Sequence, residues 1–306
     1  MNGIIILDKP QDFTSFDAVA VARRICGERK IGHTGTLDPM ATGVLPLLLG
    51  RAAKAADLLP DTDKAYRAAF RLGERRDTGD VTGAVVEESA APVSRESLEQ
   101  ALAQFVGEIS QVPPMYSAVS VNGKRLYQLA RQGLEVDRPA RQVRVSQLEL
   151  LSYDPATREG TLQVACSKGT YIRTLIEDAA RAAGSCGTMT ALRRTAACGF
   201  EEGEALSLDR LRELGERGEI PTVLRPVESL FGDYPAAWVS QAQARRFQNG
   251  GSLSMERLRL PRIALPQGQL VRVFAPGQVF LGLGAVDLPR GEIVFRKLFW
   301  EPEEQV

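Results

Sequence analysis

Gly32-His33-Thr34-Gly35-Thr36-Leu37-Asp38-Pro39 decides how the chain is parsed. Two glycines and a proline within one short span cannot continue a helix, so this stretch reads as a loop. It sets an imidazole and a carboxylate five residues apart on a backbone that glycine lets bend sharply. Upstream, the apolar run 3–7 is stopped by Lys9-Pro10 and predicts a strand. Thr14 followed by Asp17 suits a capping box, and a helix is expected over 15–26 with Phe16, Val19 and Ala20 on one face. Downstream, a short helix over 51–59 should end before Pro60.

From 64 to 72 the period changes to two. Tyr66, Ala68, Phe70 and Leu72 share one strand face, while Arg67 and Arg71 take the other. A polar turn region, 73–83, follows, and Ser94 is placed to cap a helix with Leu98, Leu102 and Phe105 inward. Residues 111–141 carry Pro113-Pro114, an Asn122-Gly123 turn signal, Gly133 and Pro139, with Lys124, Arg125, Arg131, Arg138 and Arg141 against Glu135 and Asp137. They read as a mobile basic insertion. Paired strands are expected over 143–151 and 160–167. Gly169 then turns the chain into a helix over 171–183, and a last strand covers 192–200. A helix near 208–214 and a Pro-punctuated stretch lead to a β-rich unit. It holds a helix over 241–249 ended by Gly250-Gly251, and strands over 270–274, 279–283 and 292–298 about an Ala275-Pro276-Gly277 turn. The pattern is α+β in two domains, 1–232 and 233–306.

Composition removes several function classes. The 38 Lys and Arg balance 38 Asp and Glu, which excludes a uniformly basic nucleic-acid coat protein but leaves room for a local basic groove. No apolar stretch approaches the ~18 residues of a membrane helix. Residues 1–10 lack the basic segment of a signal peptide, and Asp8 interrupts their apolar run. Cys26, Cys166, Cys186 and Cys198 form no C-x-x-C pair and read as reduced cytosolic thiols. His33 is the one histidine, which argues against His-rich metal sites. There is neither a phosphate-binding P-loop motif nor a G-x-S-x-G nucleophile elbow.

The 32–39 loop is the best candidate for chemistry. On residue chemistry alone Asp38-Pro39 also suits an ordinary turn, Tyr66 suits core packing, and Arg173 suits a surface position.

Gly32 to Leu45, read as GHTGTLDPMATGVL, closely resembles the catalytic motif of the TruB family, the bacterial tRNA pseudouridine-55 synthases. Leu7-Asp8-Lys9-Pro10 with Thr14-Ser15 is similar to the family's N-terminal motif. Lys64-Ala65-Tyr66 and Asp77-Thr78-Gly79-Asp80 match its next block. Pro113 to Ala118 and Asn122 to Tyr127 resemble its RNA-gripping insertion. Cys166 to Leu175 and Leu192 to Thr195 complete an ordered set spanning 3–200, and the C-terminal unit is more weakly like a PUA-type RNA-binding domain. Three departures stand out. Asp12 stands where the family usually has Gly, Arg76 where it has Thr, and Ser120 where it has Lys.

The resemblance implies a pseudouridine synthase fold, with a mixed, largely antiparallel central sheet flanked by helices and a small PUA-like domain. It implies an isomerase that breaks the N1–C1′ bond of uridine 55 in the tRNA T-loop and forms a C5–C1′ bond. Such a rearrangement has no net redox change and calls for no cofactor or metal. Asp38 becomes the catalytic carboxylate. Burial beneath a base favours the neutral form of a carboxylate, and a nearby guanidinium favours the charged form. The family supplies that guanidinium from Arg173, so an Asp38–Arg173 ion pair is expected. The target uridine is flipped out of its stack, with His33 filling the gap, Tyr66 stacking on the base, and Tyr171 and Leu192 lining the pocket. Lys124, Arg125, Arg131, Arg193 and Arg194 are the expected phosphate contacts, and the insertion is expected to order on the RNA. Arg245-Arg246 reads as a solvated face. The expected partner is the tRNA T-arm, met by a cytoplasmic monomer with no membrane association and no obligatory protein partner.

Three rival readings compete with this one. A non-catalytic RNA-binding or RNA-folding module has no need of Asp38, Tyr66 and Arg173 together, although RNA folding is compatible with catalysis. A guide-RNA-dependent synthase is disfavoured by the insertion and the lack of Lys-rich tails. A small-molecule nucleoside enzyme is not supported by the RNA-directed blocks.

Overall fold

The computed structural model describes residues 1–60, 62–121, 123–261 and 263–301. A nine-stranded mixed sheet forms its larger part. The strands are β1 (Gly3–Lys9), β2 (Ile31–His33), β3 (Thr42–Leu49), β4 (Lys64–Leu72), β5 (Gly107–Gln111), β6 (Arg141–Asp154), β7 (Glu159–Cys166), β8 (Gly187–Ala197) and β9 (Phe200–Glu201). Their order is β1-β3-β8-β4-β7-β6-β5, with β2 on β3 and β9 on β8. All pairings are antiparallel except β3 with β8, where Thr42 and Gly43 meet Arg193 and Arg194. This parallel junction joins the loop-bearing half of the sheet to the half carrying Tyr66. It needs Gly43, whose φ is +103° and where a Cβ would overlap the Arg194 backbone carbonyl.

Four helices cover the larger sheet. In α1 (Ser15–Cys26), Thr14 Oγ1 accepts from Asp17 N at 3.0 Å and Asp17 returns the bond to Thr14 N at 2.9 Å, the reciprocal cap expected there. The buried stripe is Ala18, Val19, Ala22 and Cys26. Phe16 and Ala20 are not inward: Phe16 is 65% exposed, with Arg23 over its ring. Small residues at i, i+4 and i+8 let α1 lie close to its neighbours, and that spacing rotates Phe16 to the outside. Ser94 caps α2 (Arg95–Ala103) by accepting from Ser97 N at 3.1 Å.

The 111–141 insertion is not structureless. Ser120–Val121 pairs with Lys124–Arg125, and a short helix, α3 (Leu126–Ala130), buries Leu126 and Leu129. Of the turn signal between those strands, Gly123 has φ +79°, whereas Asn122 lies outside the described residues. α4 (Ile172–Ala182) packs on the sheet beside α2, and α5 (Leu208–Glu216) lies against α1.

The smaller sheet comprises β10 (Ala236–Trp238), β11 (Leu253–Ser254), β12 (Leu270–Ala275), β13 (Val279–Asp287) and β14 (Glu292–Leu298), ordered β10-β12-β13-β14-β11 with α6 (Gln241–Gln248) alongside. Leu283 and Phe299 from this unit share one apolar cluster with Ile4, Ile6, Val44 and Phe231, so the two sheets are welded rather than loosely tethered. Some expected bounds move. β2 extends to His33, residues 50–55 form a 3₁₀ turn instead of a helix over 51–59, and β8 begins at Gly187 instead of 192. No helix among the described residues is long and apolar enough to cross a membrane.

Candidate active site

The loop after β2 turns back through Asp38 before entering β3, and the first turn of α1 fixes it. Leu37 N donates to Ser15 Oγ at 2.8 Å, and Asp12 N donates to the Pro39 carbonyl at 2.9 Å. Asp12 has φ +63°, a left-handed position that explains a glycine preference and that aspartate tolerates better than most residues. Beneath the loop lies Lys9, fully buried. Its Nζ donates to the carbonyls of Phe13 (2.6 Å), Pro10 (2.8 Å) and Pro39 (3.3 Å). Burial pushes the Lys9 pKa down to about 8, against an opposing pull from Asp38.

Asp38 is partly exposed and faces Arg173, whose Nη2 lies 3.0 Å from Asp38 Oδ2. Arg173 enters from the first turn of α4 and is 4% exposed. Its Nη1 donates to the Thr78 carbonyl at 2.7 Å and its Nη2 to the Tyr116 carbonyl at 2.8 Å. On its far side Asp80 Oδ2 stands 3.8 Å from Nε. Asp80 is itself buried and accepts from Thr78 Oγ1 and from the Thr82 amide and hydroxyl. Arg76, one of the three departures, donates to the Val81 and Gly83 carbonyls and so braces this turn. Two backbone carbonyls thus anchor the guanidinium, with Asp80 behind it and Asp38 in front.

Asp38 and Arg173 border a cavity of about 240 Å³, with Lys64, Tyr66, Tyr171 and Leu192 also on its wall. Four expected site residues far apart in the chain therefore meet Asp38 at one place. Tyr66 is 6% exposed, and burial pushes its phenol up to about 12, so it is neutral at physiological pH. A second cavity, about 590 Å³, shares Asp38 and Arg173 and runs out to Tyr127 and Arg131 in the insertion, where the Arg131 guanidinium lies 5.6 Å from the Tyr127 ring centroid.

Two expected roles change, and His33 stands outside both cavities. Arg194 cannot meet a phosphate in this fold. It is 0% exposed, with Nε on the Val44 carbonyl (2.7 Å) and Nη2 on the Gly35 carbonyl (3.2 Å), where it props both ends of the loop. Arg193 points to the opposite face and is already paired with Asp8 (3.0 Å) and Glu202 (2.8 Å). Neighbours on a strand alternate faces, so an Arg-Arg pair there could never act as one patch. His33 ends β2 and lines neither cavity. Burial and the Arg194 charge lower its pKa, so the ring is neutral. Lys124 and Arg125 are exposed on the insertion hairpin, as is Ser120, the third departure. All four cysteines are buried.

Lys9, Lys64, Thr78, Asp80 and Tyr116 lie in motif blocks of the sequence, but their residue types assign them no role there. Thr78 and Tyr116 act through backbone carbonyls, which carry no residue-type signal. Lysine is rarely buried, so the residue type gives no hint that Lys9 lies beneath the loop.

Residues 23–172 match the TruB family pseudouridylate synthase N-terminal domain, 173–232 the tRNA pseudouridylate synthase B C-terminal domain, and 235–293 the C-terminal region of pseudouridine synthase II TruB. A tRNA pseudouridine synthase B of Aromatoleum aromaticum is 45% identical, over 94% of this chain and 89% of that one. This chain belongs to the TruB family. The relative of the same name from Escherichia coli K12 is 40% identical, over 98% of this chain and 96% of that one. Among solved structures, a Cbf5 chain from a Cbf5–Nop10–Gar1 complex superposes with a TM-score of 0.75 at 26% identity, covering 97% of this chain and 85% of that one. Membership makes the chain a pseudouridine synthase with the α+β architecture of that fold and a PUA-like β-rich C-terminal unit.

Proposed function

We propose that this TruB-family enzyme isomerises uridine 55 in the T-loop of tRNA to pseudouridine, with the base flipped into the cavity at Asp38. The observation that carries the proposal is the Asp38–Arg173 pair on a cavity walled by Tyr66, Tyr171 and Leu192. At about 240 Å³ the cavity is below the usual size of a drug-like ligand site. It suits a single nucleobase with room to turn, which is what exchange of an N1 bond for a C5 bond demands. Arg173 holds the Asp38 carboxylate toward the base and sugar, and Tyr66 offers its ring as a stacking surface. Near relatives bear the name tRNA pseudouridine synthase B, which supports tRNA as the substrate.

In this reading Lys124, Arg125 and Arg131 grip the T-arm backbone, and His33 fills the space that the extruded base leaves. The catalytic unit is 1–232 and the PUA-like unit 233–306. The enzyme works as a cytoplasmic monomer with no obligatory protein partner. Incubating purified protein with an unmodified tRNA transcript and no additive, then mapping pseudouridine by position, tests the proposal. Conversion at the T-loop uridine alone is expected; conversion elsewhere, or none, rejects it.

A further inference from the structure

Beside the loop that bears Asp38 stand cations that no carboxylate among the described residues pairs with directly. Arg173 has Asp38 and Asp80, and Arg193 has Asp8 and Glu202. Lys9, Lys64 and Arg194 take part in no ion pair among the described residues. Lys9 and Arg194 are fully buried on backbone carbonyls, whereas Lys64 opens onto the catalytic cavity. Gly35 reports how close two of these cations come. A Cβ at Gly35 would stand 3.4 Å from Lys64 Nζ and 3.7 Å from Arg194 Nη1, so both cationic ends crowd the same face of the loop. Burial and the Arg194 charge both lower the pKa of Lys64. Like charges in a partly desolvated site repel strongly, and an anion placed between them and the solvent relieves that repulsion.

The anion's chemistry follows from the strand. Lys64 and Tyr66 are two residues apart on β4, so their side chains share a face, about 7 Å apart along the strand. A base resting on Tyr66 brings its own backbone to the rim where Lys64 stands. We propose that the catalytic cavity contains a phosphate subsite, in which the Lys64 ammonium contacts the phosphodiester adjoining the target uridine and Arg194 reinforces its field from beneath. This rests on the RNA-directed function proposed above.

The test measures affinity of the full-length protein for an unmodified tRNA transcript as salt is varied. Lys64→Met is expected to raise Kd about 10-fold, the scale of one charge-assisted contact. It should also lower the slope of log Kd against log salt by about one. Lys64→Arg keeps both near wild type. A transcript with one uncharged methylphosphonate linkage beside the target uridine loses a similar factor against wild type and nothing more against Lys64→Met. Wild-type affinity and slope in Lys64→Met, or the full further loss from the methylphosphonate against that variant, overturns the subsite. Should Lys64→Met fail to fold, Lys64→Gln replaces it, and the methylphosphonate transcript tests wild type directly. Pseudouridine formation by the wild-type protein on the same transcript reads the underlying function separately.

Discussion

Arg173 Nη2 and Asp38 Oδ2 lie 3.0 Å apart, although the two residues enter the site from a helix and a loop far removed in sequence. The arginine is buried and tied by the carbonyls of Thr78 and Tyr116, whereas the aspartate is partly open to the cavity. The geometry is asymmetric: a fixed cation presents a reachable anion. Three segments, the 77–80 turn, the insertion and α4, together hold the arginine at the aspartate.

Asp38→Asn keeps the shape of the side chain and removes its charge. Turnover is expected to vanish while tRNA affinity stays within a few-fold. Arg173→Lys should lose most activity too, because an ammonium cannot reach the Thr78 and Tyr116 carbonyls and Asp38 from one planar fork. Single-turnover assays beside filter binding separate the two quantities, and near-normal pseudouridine yield from Asp38→Asn rules out its role.

Tyr66 distinguishes stacking from plain packing. Loss of an aromatic platform costs roughly 1–3 kcal/mol per base, about 5- to 150-fold. Tyr66→Ala should therefore cut activity severely, and Tyr66→Phe, which keeps the ring, much less. A mild effect of the alanine favours a packing role, and equal losses from both variants assign the effect to the hydroxyl rather than the ring.

Lys9 gives a pH signature. Its folded pKa is about 8, against an ordinary 10.5, so between those values the unfolded chain binds more protons. Stability contributed by this group therefore rises with pH across that window, and the cost of burying the charge is fully present below about pH 8. In urea melts from pH 7 to 10, wild type should gain on Lys9→Met as pH increases. Wild type losing ground to Lys9→Met as pH rises would mean that the ammonium's bonds to three carbonyls outweigh its desolvation.

Arg194 and the insertion cations should respond in opposite ways. Arg194→Met strands the Val44 and Gly35 carbonyls and is expected to destabilise the fold by about 2–4 kcal/mol. Lys124→Ala with Arg125→Ala should leave the melting temperature alone, weaken tRNA binding and flatten its salt dependence. Thermal melts and salt titrations on both proteins decide the assignment.

Gly43→Ala probes the parallel junction. A Cβ there overlaps the Arg194 carbonyl at a left-handed φ, so a loss above about 3 kcal/mol is expected. Gly123→Ala serves as a control, because that glycine has a positive φ but no close neighbour, and its cost should be about 1 kcal/mol.

Local rules made much of this chain legible. The Thr14 cap, the period-two face of β4, the Ser94 cap and the Gly-rich break before Asp38 depend on residues within a few positions of one another. Steric and hydrogen-bonding preferences act at that range, so sequence determines them directly. The ordered motif blocks named the family and its aspartate for the same reason: each is a short contiguous string.

What remained belonged to the tertiary structure. Sequence could place Arg193 and Arg194 side by side, but only the packing of β8 between β3 and β4 sent one outward to carboxylates and sealed the other beneath the loop. Lys9, Asp80 and the Tyr116 carbonyl acquired their roles by proximity across dozens of residues. Burial and long-range electrostatics depend on where the whole chain closes on itself, and no window of sequence contains that information.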